Sequence, residues 1–166
     1  ESYHAALNCD PISAFGGIVS CNFKVTKNLA TELNKLFLEV VIANSFDPIA
    51  LKILKTKKNL RLIDASNYSL NEKLRFTSNN EEILIQSEDR NKFNIKDFKI
   101  VSKKKPNSKQ MKNLIFAFNV CRYVKSNAIV LAANETTVGI GSGQPSRLDS
   151  CEIAIGKMKK FTNIKN

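Results

Sequence analysis

Three short segments of this 166-residue chain carry residue types that chemistry uses. The densest is Gly139-Ile140-Gly141-Ser142-Gly143-Gln144-Pro145-Ser146-Arg147. Glycines between a strand and a helix expose backbone N–H groups to an anion or a polar ring. Arg147 adds a planar fork of donors suited to phosphate, carboxylate or carbonyl. A plain hairpin exit has no need of Gln, Ser and Arg in succession. The spacing is not the dinucleotide fingerprint, which would put glycine at 144 or 146, where Gln and Ser stand. Nor is it a P-loop, because no Gly-Lys-Ser/Thr follows.

The second segment is Lys125-Ser126-Asn127, wedged between a predicted helix and a predicted buried strand. Polar groups at such a junction must find partners. Asn127 offers both donor and acceptor, and suits an amide or a developing oxyanion; a helix stop followed by a turn is the alternative. The third is Asp10-Pro11-Ile12-Ser13-Ala14-Phe15-Gly16-Gly17. Paired glycines let a backbone approach a ligand closely or take positive φ; a tight turn entering a strand is the alternative there.

Other chemistries find no footing. No Ser-His-Asp set, metal cluster or paired carboxylate can be assembled from the spacing. Cysteines stand at 9, 21, 121 and 151 without a CxxC pair, and His4 is the single histidine. They read as reduced cysteines of a cytosolic protein rather than zinc ligands. The formal charge is +11, which raises the case for a polyanionic partner. The positives are scattered, apart from Lys103-Lys104-Lys105 and the stretch from Lys157 to Lys160. Aromatics are not interleaved with them as a single-strand stacking platform requires. Solvated lysines, or a field that welcomes a small phosphorylated substrate, account for the charge better than nucleic acid. No apolar run approaches the roughly 20 residues needed to span a bilayer. The N-terminus has no basic region before an apolar stretch, so neither a membrane nor a secretory route is expected. The chain does not begin with Met, which fits a partial sequence.

The elements that must position these segments follow from periodicity. Residues 17–20 read as a strand. Thr26 caps a helix with Leu29, Leu33, Leu36 and Phe37 on one face. Residues 39–43 form a β-branched strand, Asp47-Pro48 starts a second helix, and 60–63 make a third strand. This β-α-β-α-β alternation predicts an α/β lobe over residues 1–63. Residues 64–108 are polar, with one apolar patch at Ile83-Leu84-Ile85 that predicts a strand. Over 109–166 the pattern predicts a helix with Met111, Leu114, Ile115, Phe118 and Cys121 on one stripe. A buried strand at 128–132 follows, then a turn at Asn134-Glu135 and a strand at 137–140. The glycine loop leads to a last helix capped near Asp149 or Ser150.

The three chemical segments, in this order, resemble the AICAR transformylase domain of the bifunctional AICAR transformylase/IMP cyclohydrolase family. The matching stretches are Asp10 to Gly17, Phe37 to Ala43 (FLEVVIA), Val124 to Val130 (VKSNAIV) and Gly139 to Arg147. The resemblance spans nearly the whole chain. It implies α/β layers like those of cytidine deaminases, without the deaminase zinc signature. It implies formyl transfer from 10-formyltetrahydrofolate, a cosubstrate, to the amino group of AICAR, with no metal in catalysis, in purine biosynthesis. By resemblance, Asn127 is the catalytic, substrate-contacting Asn that also polarises the formyl group, and Arg147 contacts AICAR. Gly16 gives a backbone contact to the substrate, Glu39 binds the AICAR base region, and Leu148 touches the folate. The family implies a homodimer with active sites at the subunit interface.

This sequence departs from the family at several places. A Lys-His-x-Asn-Pro motif with the catalytic histidine precedes the Asp-Pro-Ile-Ser segment in the family; the chain starts after that point, and His4 does not match it. The downstream Phe-rich folate loop lies beyond Asn166, and the cyclohydrolase domain is absent. Glu81-Glu82 replaces the usual Gly-Gly, and Ala43-Asn44 the usual Ala-Pro. The reading is therefore an enzyme fragment, inactive alone, that carries part of the substrate site. A basic nucleic-acid-binding module and a catalytically dead relative are the competing readings.

Overall fold

A computed structural model describes residues 1–68, 74–87 and 95–162. The rest of the predicted polar region and the end of the chain lie outside the described residues. The fold is mixed α/β, with parallel and antiparallel sheets.

The first lobe opens with a short helix, α1 (Ser2–Leu7), which the sequence reading missed. Strands β1 (Gly17–Val25), β2 (Leu38–Phe46) and β3 (Arg61–Asp64) then pair in parallel, in the order β1-β2-β3. Helices α2 (Lys27–Asn34) and α3 (Pro48–Leu54) are the crossovers. The Thr26 hydroxyl accepts the Leu29 N–H at 3.4 Å, as an N-cap should. Pro48 sits at the start of α3, where its missing N–H costs nothing. Val25, Leu33, Val41 and Leu54 are fully buried and form the centre of this lobe's core. Each such side chain contributes roughly 1.5–3 kcal/mol of burial free energy. Phe37 is not on the helix face, as periodicity predicted: α2 ends at Asn34, and Phe37 stacks on Phe15 with ring centroids 5.0 Å apart.

The polar middle holds two strands where one was predicted. β4 (Leu74–Asn79) and β5 (Glu82–Ser87) form an antiparallel hairpin whose residues are all exposed. A 3-10 turn over Ile95–Asp97 follows.

In the second lobe, α4 (Ser108–Cys121) begins at a capping box between Asn107 and Gln110. Its predicted apolar stripe is only partly covered: Leu114 and Phe118 remain exposed. β6 (Ile129–Ala133) and β7 (Thr136–Gly141) pair antiparallel around Asn134 and Glu135. Both turn residues have positive φ, 52° and 53°, the geometry that matches strand twist in a two-residue hairpin. β6 is half-buried along its length rather than buried, since it has β7 on one edge and no strand on the other among the described residues.

Helix α5 (Arg147–Phe161) packs on β7. It starts earlier than predicted because the Ser146 hydroxyl accepts from the Leu148 and Asp149 N–H groups. Gly139 and Gly141 make its approach possible: a Cβ on either would overlap the carbonyl oxygens of Ala154 and Ser150. An ion pair between Lys157 of α5 and Asp10 ties this helix to the turn before β1, and the Asp10 carboxylate also accepts the Ser13 N–H (3.1 Å) and hydroxyl (2.8 Å). Partial burial pushes the Asp10 carboxyl up, but the Lys157 ammonium and the two Ser13 donors outweigh it and hold the pKa at about 2.

Gly141→Ala should destabilise the protein by about 1–3 kcal/mol through overpacking, whereas Gly156→Ala, with open space around its Cβ, should stabilise α5 by about 0.5–1 kcal/mol. Denaturant unfolding reads both; equal effects would contradict the close helix–strand contact. Because the Asp10 pKa is depressed on folding, its contribution is present above the unfolded value near 4 and lost as pH falls towards 2. In Asp10→Asn, stability should fall by about 1 kcal/mol at pH 6, and the acid loss between pH 4 and 2 should shrink.

Candidate functional site

The sequence places Lys125-Ser126-Asn127 and Gly141 to Arg147 apart, and the fold binds them to each other. After α4 the chain runs into Lys125, whose carbonyl accepts the Gly143 N–H at 2.8 Å and the Ser142 hydroxyl at 3.3 Å. Gly143 has φ of +68°, which a glycine adopts without penalty. Gln144 folds back to donate its side-chain N–H to the Ser142 carbonyl. The Ser126–Asn127 peptide is cis.

Asn127 is held from every side. Its backbone N–H donates to the Gln144 carbonyl at 3.2 Å. Its carboxamide nitrogen donates to the Gln144 carbonyl at 3.0 Å and the Pro145 carbonyl at 2.8 Å. Its own carbonyl accepts the Ser150 hydroxyl at 2.8 Å. Both partners of the carboxamide nitrogen are carbonyl oxygens, which can only accept, so the orientation of the amide is fixed. Both amide hydrogens are taken, and the group that remains to meet a ligand is the acceptor Oδ1. Sequence reasoning gave Asn127 donor and acceptor capacity alike; within the chain its carboxamide donors are bonded to the loop.

Arg147 follows two residues after Pro145 as the first residue of α5 and is exposed. Its guanidinium is thus presented at the positive end of a 15-residue helix. Leu148 beside it is 75% exposed, a large apolar side chain with no cover.

Gly16 and Glu39 form a second cluster, at the start of the parallel strands. Gly16 has φ of +72° and donates its N–H to the Phe37 carbonyl at 2.9 Å. Only its carbonyl is left for a ligand. A Cβ at Gly16 would lie 3.8 Å from the Phe37 ring and 3.9 Å from the Glu39 carboxylate, so both residues are its immediate neighbours. Glu39 is exposed on β2. Among the described residues no hydrogen bond or ion pair joins this cluster directly to Asn127 or Arg147. The Asp10–Lys157 pair connects them at one remove, tying the loop before Gly16 to the helix that begins at Arg147.

Sequence reasoning missed the part that four residues play in shaping the site. Ser150 read as a helix cap, and it is a completely buried donor to Asn127. Phe15 and Phe37 flank Gly16 through a contact that no local pattern encodes. Lys157 read as part of a basic run, yet it pairs with Asp10 across 147 residues. Among the described residues, no group of three or more His, Cys, Asp or Glu could hold a metal ion, and no helix is long and apolar enough to cross a membrane.

Comparison with known proteins agrees with the motifs. The AICARFT/IMPCHase bienzyme family matches residues 1–157. The bifunctional purine biosynthesis protein PurH of Brachyspira hyodysenteriae is 47% identical over 155 residues, covering 93% of this chain and 30% of that protein. Those of Buchnera aphidicola subsp. Schizaphis graminum and Clostridium botulinum (strain Eklund 17B / Type B) are 44% and 46% identical, over 96% and 98% of this chain. The chain spans just under a third of the length of these relatives. With the match running through the Asn127 and Arg147 segments, the chain belongs to the AICARFT/IMPCHase bienzyme family.

Proposed function

We propose that the protein carrying this chain transfers the formyl group of 10-formyltetrahydrofolate to the amino group of AICAR, giving FAICAR on the route to IMP, and that this chain supplies part of the substrate site. The observation that carries the reading is the lacing of Asn127 into the glycine loop, which leaves its Oδ1 as a fixed acceptor beside the Arg147 helix terminus. An aromatic amine is a weak nucleophile. An acceptor that takes one of its hydrogens orients the nitrogen lone pair towards the formyl carbon.

The chemistry then divides as follows. The amine nitrogen bonds to the formyl carbon, and the carbonyl oxygen takes the negative charge of the tetrahedral intermediate. Asn127 aligns the amine. Because its hydrogens are already bonded, the oxyanion takes its hydrogen bonds from other donors. The amine proton leaves to a base; the C=O then re-forms as the bond between the formyl carbon and the folate nitrogen breaks, and that nitrogen takes up a proton as tetrahydrofolate departs. Arg147 holds AICAR through its donor fork. The Gly16 carbonyl and Glu39 carboxylate accept hydrogen bonds from the base region, and Leu148 gives the folate an apolar contact. The layering of a cytidine deaminase, a homodimer with shared active sites and a cytoplasmic location belong to the same reading, as the family resemblance implies them.

In the full-length protein, Asn127→Ala should lower kcat by about 100-fold, the size expected for a lost orienting hydrogen bond at the reacting centre. Arg147→Ala should raise the KM for AICAR by about tenfold or more, with a smaller change for 10-formyltetrahydrofolate. Steady-state FAICAR formation measures both, and wild-type turnover in both variants would refute the assignment.

A further inference from the structure

Ser150 is the one fully buried polar residue among those described, at 0% exposure. A buried hydroxyl is costly unless it is bonded. In a helix the cheap solution is the carbonyl one turn back. Thr31 of α2 takes that solution, its hydroxyl donating to the Lys27 carbonyl at 3.1 Å; Ser150 does not. The hydroxyl instead donates to the Asn127 carbonyl at 2.8 Å, across 23 residues of sequence. The strand side is closed as well: Gly141 lies so near the Ser150 backbone that only a residue without a Cβ fits. Thus Ser150 is clamped from behind by β7 and bonded in front to Asn127.

We infer that Ser150 is a positioning residue for formyl transfer, locking the Asn127 peptide to the helix that begins at Arg147. The inference rests on the proposed role of Asn127. The Gln144 and Pro145 carbonyls fix which way the carboxamide faces. They belong to a loop, however, and not to a regular element. The Ser150 bond refers Asn127 to α5 itself, so the acceptor Oδ1 and the Arg147 fork share one rigid frame. A substrate held at one end by Arg147 then meets Asn127 at a constant separation. A shift of about 1 Å between such groups lowers turnover by about 100-fold in unfavourable cases.

The test is a mutant cycle in the full-length protein with AICAR and 10-formyltetrahydrofolate. Ser150→Ala should lower kcat by about tenfold while leaving the KM for 10-formyltetrahydrofolate within about twofold. Ser150→Cys, nearly the same size and a weak donor, should recover part of that loss. In an Asn127→Ala background, Ser150→Ala should cost little more, because there is no carboxamide left to position. Normal kcat in Ser150→Ala, beside an impaired Asn127→Ala, would overturn the inference and leave the functional reading standing. So would an undiminished tenfold loss in the Asn127→Ala background, since Ser150 would then act on structure in general. Should Ser150→Ala not fold, Ser150→Cys decides through the same background comparison. Wild-type turnover in Asn127→Ala would instead sink the role given to Asn127 and this inference with it.

Discussion

The contact on which the second lobe depends is between two backbones, not two side chains. Gly139 and Gly141 strip β7 of its Cβ atoms where α5 crosses it, and the carbonyls of Ala154 and Ser150 occupy the space. Close-packed interiors leave no room to restore even a methyl group without displacement. This approach brings Ser150 within hydrogen-bonding distance of the Asn127 carbonyl. It also sets the start of α5, and so Arg147, directly after the loop that receives the Asn127 carboxamide. The glycines that read as ligand-facing therefore divide by role. Gly139 and Gly141 serve packing, and Gly143, with its positive φ and open surroundings, serves the turn.

The first lobe reaches its site by a different principle. Parallel strands need crossovers, and the two short helices supply them while burying Leu33 and Leu54 against Val25 and Val41. The turn that feeds β1 is held by the Asp10–Ser13 bonds and, from the other lobe, by Lys157. A charge read as part of a basic surface run is in this way a structural fastener. The net charge of +11 is accordingly a poor guide to partners, because its members are not alike.

Much of the architecture was legible in the sequence where one local signal sufficed. The Thr26 cap, the Asp47-Pro48 helix start and the Asn134-Glu135 turn were all readable, since capping and turn chemistry act within four residues. What failed depended on distance. Phe37 fits the helical period of α2, but its partner is Phe15, over twenty residues earlier in the chain. Leu114 and Phe118 fit an apolar stripe, yet they stay exposed on α4. The start of α5 was misplaced because Asp149 and Ser150 are as good cap formers by type as Ser146. Only the fold shows that the Ser150 hydroxyl is committed elsewhere. For the site, residue types pointed to Asn127 and Arg147, while the direction of the Asn127 amide is decided by two carbonyls that no motif describes.

The proposed reaction turns on Asn127 meeting the nucleophile through its oxygen. A crystal structure of the full-length protein with AICAR bound tests it most directly. Asn127 Oδ1 is expected within about 2.7–3.2 Å of the AICAR amino nitrogen, with the carboxamide nitrogen still on the Gln144 and Pro145 carbonyls. An amino group bound away from Asn127, or a carboxamide that has turned to present its nitrogen to the ligand, would contradict it.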